Sequence, residues 1–160
     1  MSSSKAHFGV HFDPVGERLS IVDERGVVID DERALLVVLD LVAAERAGGR
    51  VALPVTTTRV AERVAAFHGV EIDWTALTPA ALTEAVAAPG VVFGGDGRGG
   101  FVIPQFSSTF DGIAAWGYHQ AVKPEHRRVL LNPRYTRIGV GSYRSTADDR
   151  IYTSQTFAGP

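Results

Sequence analysis

At 160 residues, 45% hydrophobic and 21% charged, the chain has the composition of one globular domain or slightly more. A formal net charge of −2 lacks the basic surface that broad binding to nucleic acid or to an anionic membrane needs. With no cysteine there is no disulfide, thiolate metal site or cysteine nucleophile, and no apolar run approaches the roughly 18 residues that cross a bilayer.

The opening stretch, MSSSKAHFGVHFDP, has no long apolar segment of the signal-peptide kind, so a cytoplasmic location is expected. Residues 1–5 read as a loose leader. Phe8, Val10 and Phe12 alternate with Gly9 and His11, the pattern of a half-buried strand. His7 and His11 share a face of that strand, but with no third ligand nearby a solvated face is favoured over a metal site. An acidic loop from Asp13 to Arg18 follows, turned by Pro14 and Gly16. Residues 19–22 and 27–29 then read as strands around Asp23-Glu24-Arg25-Gly26, a hairpin signal.

Asp30, Asp31 and Glu32 suit the positive start of a helix whose body, ALLVVLDLVAAERA, is apolar on most sides and calls for more than one covering neighbour. Residues 51–55 form a short buried strand. Thr57 or Thr58 is expected to cap a second helix, with Val60, Val64 and Phe67 as its buried stripe. Val70, Ile72 and Trp74 mark another strand, and Thr78-Pro79 is an N-cap with proline at the first helical position. Strands alternating with helices at this spacing imply βαβ units, a largely parallel sheet and right-handed crossovers.

The run VVFGGDGRGGFVIPQF, residues 91–106, stands out. Two short apolar flanks, rich in β-branched and aromatic residues, enclose a loop of five glycines whose only side chains are Asp96 and Arg98. Glycine permits positive φ and close approach of backbone to a ligand, so the loop is a tight turn or a binding cradle. Gly95, Gly97 and Gly100 satisfy G-x-G-x-x-G, yet that dinucleotide fingerprint must open a helix, and here a strand follows. Calcium-binding glycine repeats come in arrays, and this is a single copy. The loop follows a strand at its carboxyl end, where such sheets bind ligands.

Ser108 or Thr109 is expected to cap a helix through residues 113–122, with a last helical turn near 126–131. Residues 137–143 and 151–157 read as two strands joined by a polar loop, and their different texture suggests a boundary between Gly112 and Lys123. An isolated hairpin is marginal in water, so this one must dock on the body or promote self-association.

Two spans, FGVHFDPVGERLSIVD and the glycine loop, resemble the metal-loop strand and the sugar-recognising third domain of the phosphohexomutases, the phosphomannomutase/phosphoglucomutase superfamily. The likeness covers roughly residues 8–112 and is nearest to the mutase-like region fused behind nucleotidyltransferase domains in some bacterial mannose-1-phosphate guanylyltransferases. It implies an α/β fold: a βαβ three-layer sheet with an N-terminal hairpin and a C-terminal β-hairpin tail. The segments expected are 1–29 (strand, metal-loop remnant and hairpin), 30–112 (third-domain-like) and 113–160 (linker helix and tail). The family's metal loop is D-x-D-x-D-R, three carboxylates around Mg²⁺. Asp13 matches the first of them, Glu17 replaces the third, Arg18 matches the arginine, and Val15 occupies the second carboxylate's place. Mg²⁺ is therefore expected only if this loop keeps residual affinity, and no other cofactor is implied.

The family's sugar loop, G-E-x-S-G, grips sugar hydroxyls through Glu and Ser. Here it corresponds to Gly95, Asp96, Gly97, Arg98 and Gly99, which the resemblance makes the substrate-binding residues. Arg98 either clamps a phosphate or sugar, or pairs with Asp96 or another acid and holds the loop shut; the second is favoured, because such pairs are common. The phosphoserine and phosphate-binding domains of the family have no counterpart, so catalysis by this chain alone is not expected. A sugar phosphate and the missing mutase or nucleotidyltransferase domains are the implied partners. Residues 123–157 resemble the end of a bacterial CAP-superfamily domain, His126 matching a cavity histidine. That resemblance leaves two alternatives open, a CAP-like interaction module and a chimera of two partial domains.

Overall fold

The alternating apolar residues at the N-terminal end pair into an antiparallel sheet, β1 (Phe8–Phe12), β2 (Leu19–Asp23) and β3 (Val28–Ile29), in that order. Register runs from Phe8↔Asp23 to Phe12↔Leu19, which leaves Asp13 to Arg18 as the β1–β2 loop. The computed structural model describes residues 8–23, 25–122, 137–144 and 151–158.

Helix α1 (Asp31–Glu45) starts where the sequence predicts, with the Asp30 carboxylate accepting the Arg33 amide at 2.9 Å. After it come β4 (Arg50–Pro54), α2 (Val60–Phe67), β5 (Glu71–Thr75), α3 (Pro79–Val86), β6 (Val91–Gly95), β7 (Phe101–Val102) and α4 (Gly112–Val122). Thr78 caps α3, accepting the Ala81 amide at 3.2 Å with Pro79 beside it. The second sheet has the order β5-β4-β6-β7, parallel at β4–β5 and β4–β6 and antiparallel at β6–β7. Alternation along β4 sends Val51 and Leu53 into a core with α1, α2 and α4, and sends Ala52 to Leu82 and Val86 of α3. Helices thus cover both faces, the three-layer α/β arrangement expected from the βαβ pattern. Strands β8 (Arg137–Arg144) and β9 (Ile151–Ala158) form the antiparallel tail hairpin, in register from Arg137↔Ala158 to Arg144↔Ile151.

Two helices differ from expectation. The buried residues of α2 are Ala61 and Ala65; of the expected stripe Val64 packs half-buried against the core, while Phe67 is 83% exposed and Val60 lies at the surface. Alanine at these positions lets α2 lie close on α1, and Phe67 is left to rest edge-on against the His68 ring. Arg59 at the start of α2 gives no side-chain cap; Thr58 serves the first turn from one residue earlier, its hydroxyl oxygen accepting the Val60 amide at 3.4 Å and its carbonyl the Ala61 amide at 3.0 Å. Helix α4 is capped by Asp111, whose carboxylate accepts the Ala114 amide at 2.7 Å, and not by Ser108 or Thr109. Ala115 and Tyr118 of α4 belong to the same core as α1. His7, His126 and the polar loop at 145–150 lie outside the described residues.

Candidate functional site

The strand order fixes where a ligand fits. From β4 the chain crosses to β5 on one side and then returns past β4 to β6 on the other. The loops after β4 and β6 leave in opposite directions, and the crevice between them at the carboxyl edge is where sheets of this kind bind ligands. Residues after β4 (Thr56, Thr57) and after β6 (Asp96 to Arg98) line a hollow there, closed on the α1 side by Glu32 and Leu35. A second hollow, toward α3, is lined by Arg18, Thr56, Thr78, Asp96 and Arg98.

Asp96 organises the glycine loop. Its Oδ1 accepts the amides of Arg98 at 2.8 Å and Gly100 at 2.9 Å, and its own amide donates to the Gly100 carbonyl at 3.0 Å. Its Oδ2 accepts Nη1 of Arg18 at 2.7 Å, and the same Nη1 reaches the Arg98 carbonyl at 2.8 Å. Arg18 also lies over the Phe110 ring, 5.5 Å from its centre. The Leu19 amide donates to the Gly99 carbonyl at 2.9 Å, so the β1–β2 hairpin is stitched to the loop by backbone as well as side chain.

Close approach explains the glycines. Gly97 and Gly99 have φ of +68° and +79°, in the left-handed region. A Cβ on Gly99 would stand 2.6 Å from the Leu19 carbonyl oxygen, and one on Gly95 would stand 2.3 Å from Leu35 Cδ1. Gly95 and Gly99 are buried, Asp96 and Gly97 are half-buried, and Arg98 is exposed. The favoured pairing of Arg98 with Asp96 is not what forms: Arg18 takes that carboxylate. Asp96 instead holds the backbone amide of Arg98, and among the described residues the Arg98 guanidinium meets no acceptor.

The β1–β2 loop does not fit Mg²⁺. Asp13 Oδ1 accepts the Arg18 amide at 3.1 Å, and the Asp13 amide donates to the Arg18 carbonyl at 3.1 Å, so Asp13 closes the hairpin. Val15 is 73% exposed in the place of a ligand, leaving Glu17 and Asp13 as the donor set, which falls short of the oxygen shell that Mg²⁺ demands. Among the described residues no group of three or more His, Cys, Asp or Glu is placed to hold a metal.

A third hollow sits at the opposite edge of the sheet, between Arg46, Val92, Gln105 and Tyr118. Burial there pushes the Tyr118 hydroxyl pKa up, partly offset by its hydrogen bond with Arg46.

Sequence reading found the glycine loop and the Asp13 to Arg18 turn separately. The Arg18–Asp96 bond, spanning 78 positions, carries no local signal. In sequence Glu32 and Thr57 read only as helix-start residues and Thr56 carries no signal; what brings them to the crevice is the reversal of strand order between β4 and β6, which alternation of strand and helix leaves undetermined.

A family model, phosphoglucomutase/phosphomannomutase, alpha/beta/alpha domain III, matches residues 30–122. Phosphoglucosamine mutase of Rhizobium meliloti (strain 1021) is 30% identical over 113 residues, covering 69% of this chain and 25% of that protein. Phosphoglucomutase/phosphomannomutase of Thermococcus kodakarensis is 27% identical over 107 residues, covering 67% of this chain and 24% of that protein. The chain thus spans about a quarter of the length of the curated relatives it matches. Among solved structures, a phosphoglucomutase/phosphomannomutase family protein from Burkholderia thailandensis superposes with a TM-score of 0.66 at 16% identity, over 99% of this chain and 44% of that one. The fold likeness to that structure therefore takes in the tail hairpin too. With the family model matching more than half of its length, the chain belongs to the phosphoglucomutase/phosphomannomutase family, through the alpha/beta/alpha domain III.

Proposed function

We propose that this chain recognises a sugar phosphate at the glycine loop and does not catalyse phosphoryl transfer on its own. The observation that carries the reading is the Arg18–Asp96 bond, which joins the β1–β2 loop to the glycine loop beside the crevice at the carboxyl edge of the sheet. A loop held in one shape before the ligand arrives loses little further entropy on binding. The hydroxyls of Thr56 and Thr57 and the Glu32 carboxylate offer neutral and acidic partners for sugar hydroxyls, and Arg98 offers a cation. The names of its relatives, phosphoglucosamine mutase and phosphoglucomutase/phosphomannomutase, put phosphorylated sugars first among the ligands to try.

Catalysis would need a nucleophile and a charge-stabilising group beside the phosphate. The Asp13–Val15–Glu17 turn gives no basis for a metal-assisted step, so a transferring domain is assigned to a partner, a mutase or nucleotidyltransferase domain. Cytoplasmic carbohydrate metabolism is the setting this reading implies. Among the described residues no helix is long and apolar enough to cross a membrane.

Calorimetry with glucose 1-phosphate and mannose 1-phosphate tests the reading. Binding in the millimolar range, weakened by Asp96→Ala, is expected, and no heat with either sugar phosphate sinks it. A mutase assay on the chain alone, with and without Mg²⁺, is expected to stay at background; turnover would overturn the non-catalytic assignment.

A further inference from the structure

The glycine loop uses many of its own polar groups to hold its shape. Both oxygens of Asp96 are taken, by two loop amides and by Arg18. The carbonyls of Arg98, Gly99 and Gly100 accept Arg18, Leu19 and Asp96. An acid so occupied has little capacity left for a ligand hydroxyl. Arg98 is different, because its guanidinium stands exposed with no acceptor among the described residues. A guanidinium has five N–H donors and no acceptor, and its planar fork matches two oxygens of a carboxylate or phosphate better than a hydroxyl.

We infer that the glycine loop selects a sugar carrying an anionic group, carboxylate or phosphate, at the position the loop holds, with Arg98 as the specificity-determining residue. The inference rests on the sugar-recognition reading above and adds to it where the anion sits and which residue reads it. Charge placement orients the ligand. The hollow toward α1 carries Glu32, which repels an anion but accepts hydroxyl hydrogens. Arg98 lines both hollows; the one toward α3 adds Arg18 and holds no acid beyond Asp96, which Arg18 neutralises. The anionic group therefore sits on the α3 side, and the sugar hydroxyls lie toward Glu32, Thr56 and Thr57.

The test is titration of the full chain with glucose, glucuronate, glucose 6-phosphate and inorganic phosphate, followed by calorimetry and by amide shifts of residues 96–100. Glucuronate or glucose 6-phosphate is expected to bind at least tenfold more tightly than glucose, and comparing the two separates carboxylate from phosphate. Arg98→Ala should erase that preference, bringing the anionic sugars to the level of glucose; Arg98→Lys, which keeps the charge without the fork, should fall between. Arg98 is exposed and its guanidinium has no partner among the described residues, so an unchanged melting temperature is expected for both variants. If all sugars bind equally and Arg98→Ala changes none of them, the selectivity is wrong while sugar recognition stands. If inorganic phosphate binds as tightly as the anionic sugars, the loop is a bare anion site and the inference is overturned. If no sugar binds and amides 96–100 do not move, the recognition reading itself fails and takes the inference with it.

Discussion

Arg18 and Asp96, 78 positions apart in the chain, meet at 2.7 Å, with the carboxylate 14% exposed and the guanidinium 37% exposed. Solvent reaches the arginine, so the pair itself contributes modestly; a double-mutant cycle should return about 0.5–1 kcal/mol of coupling. Asp96→Ala should cost more, about 2 kcal/mol, because it also strands the Arg98 and Gly100 amides. Urea denaturation of wild type, both single variants and the double variant measures this. A cycle that closes to zero would mean the two loops are held by backbone alone.

Gly99→Ala and Gly26→Ala separate strain from crowding. Both glycines have positive φ, +79° and +84°, so each alanine carries a left-handed conformation worth about 1–2 kcal/mol. Only at Gly99 would the new Cβ also press on a carbonyl, that of Leu19; at Gly26 nothing lies within 4 Å. Thermal unfolding should rank Gly99→Ala well below Gly26→Ala, and equal losses would show that the hairpin gives way easily at Leu19.

On α2 the surface and the core have changed places relative to a simple hydrophobic count. Phe67→Ser should shift stability by no more than about 0.5 kcal/mol, while Ala61→Leu should cost about 1–3 kcal/mol by overpacking against α1. Denaturant midpoints for the two variants check the order.

Two groups set opposite ends of the pH profile. Asp23 has its pKa lowered, first by the Val27 amide and then by Arg25, so its contribution is full above the ordinary aspartate range and disappears as pH falls through the lowered value. Tyr118 has its pKa raised, chiefly by burial, so the unfolded chain loses this proton first. Stability from Tyr118 is full below the ordinary tyrosine pKa of about 10 and declines as pH rises toward the folded value. Tyr118→Phe should flatten the alkaline limb and leave the acid limb alone, as read by melting temperature across pH.

What was legible in the chain was what neighbouring residues decide. Asp30 and Thr78 cap their helices because a short polar side chain and the amides it serves lie within a turn of each other. The parallel pairing around β4 and the two covered faces follow from the alternation of strand and helix, while the strand order does not. Phe67 misled because periodicity marks a face without saying how near the next helix comes, and on α2 that distance suits alanine. Asp111 was passed over for Ser108 and Thr109, which are equally good caps by type but are tied into a turn of their own by the Ser107 hydroxyl. At the site, Arg98 is expected to pair with Asp96 or another acid, and the structure gives the Asp96 carboxylate to Arg18 of the β1–β2 loop.

The family match begins at residue 30, yet Arg18 and Leu19, which clamp the glycine loop, lie ahead of it. The unit that the family model covers and the unit that builds the site are therefore different pieces of chain. A protein trimmed to 30–122 would keep the βαβ sheet and its two cores while Asp96 lost its counterion and Gly99 its backbone partner. Transplanting the glycine loop into another scaffold would require carrying the β1–β2 hairpin along with it.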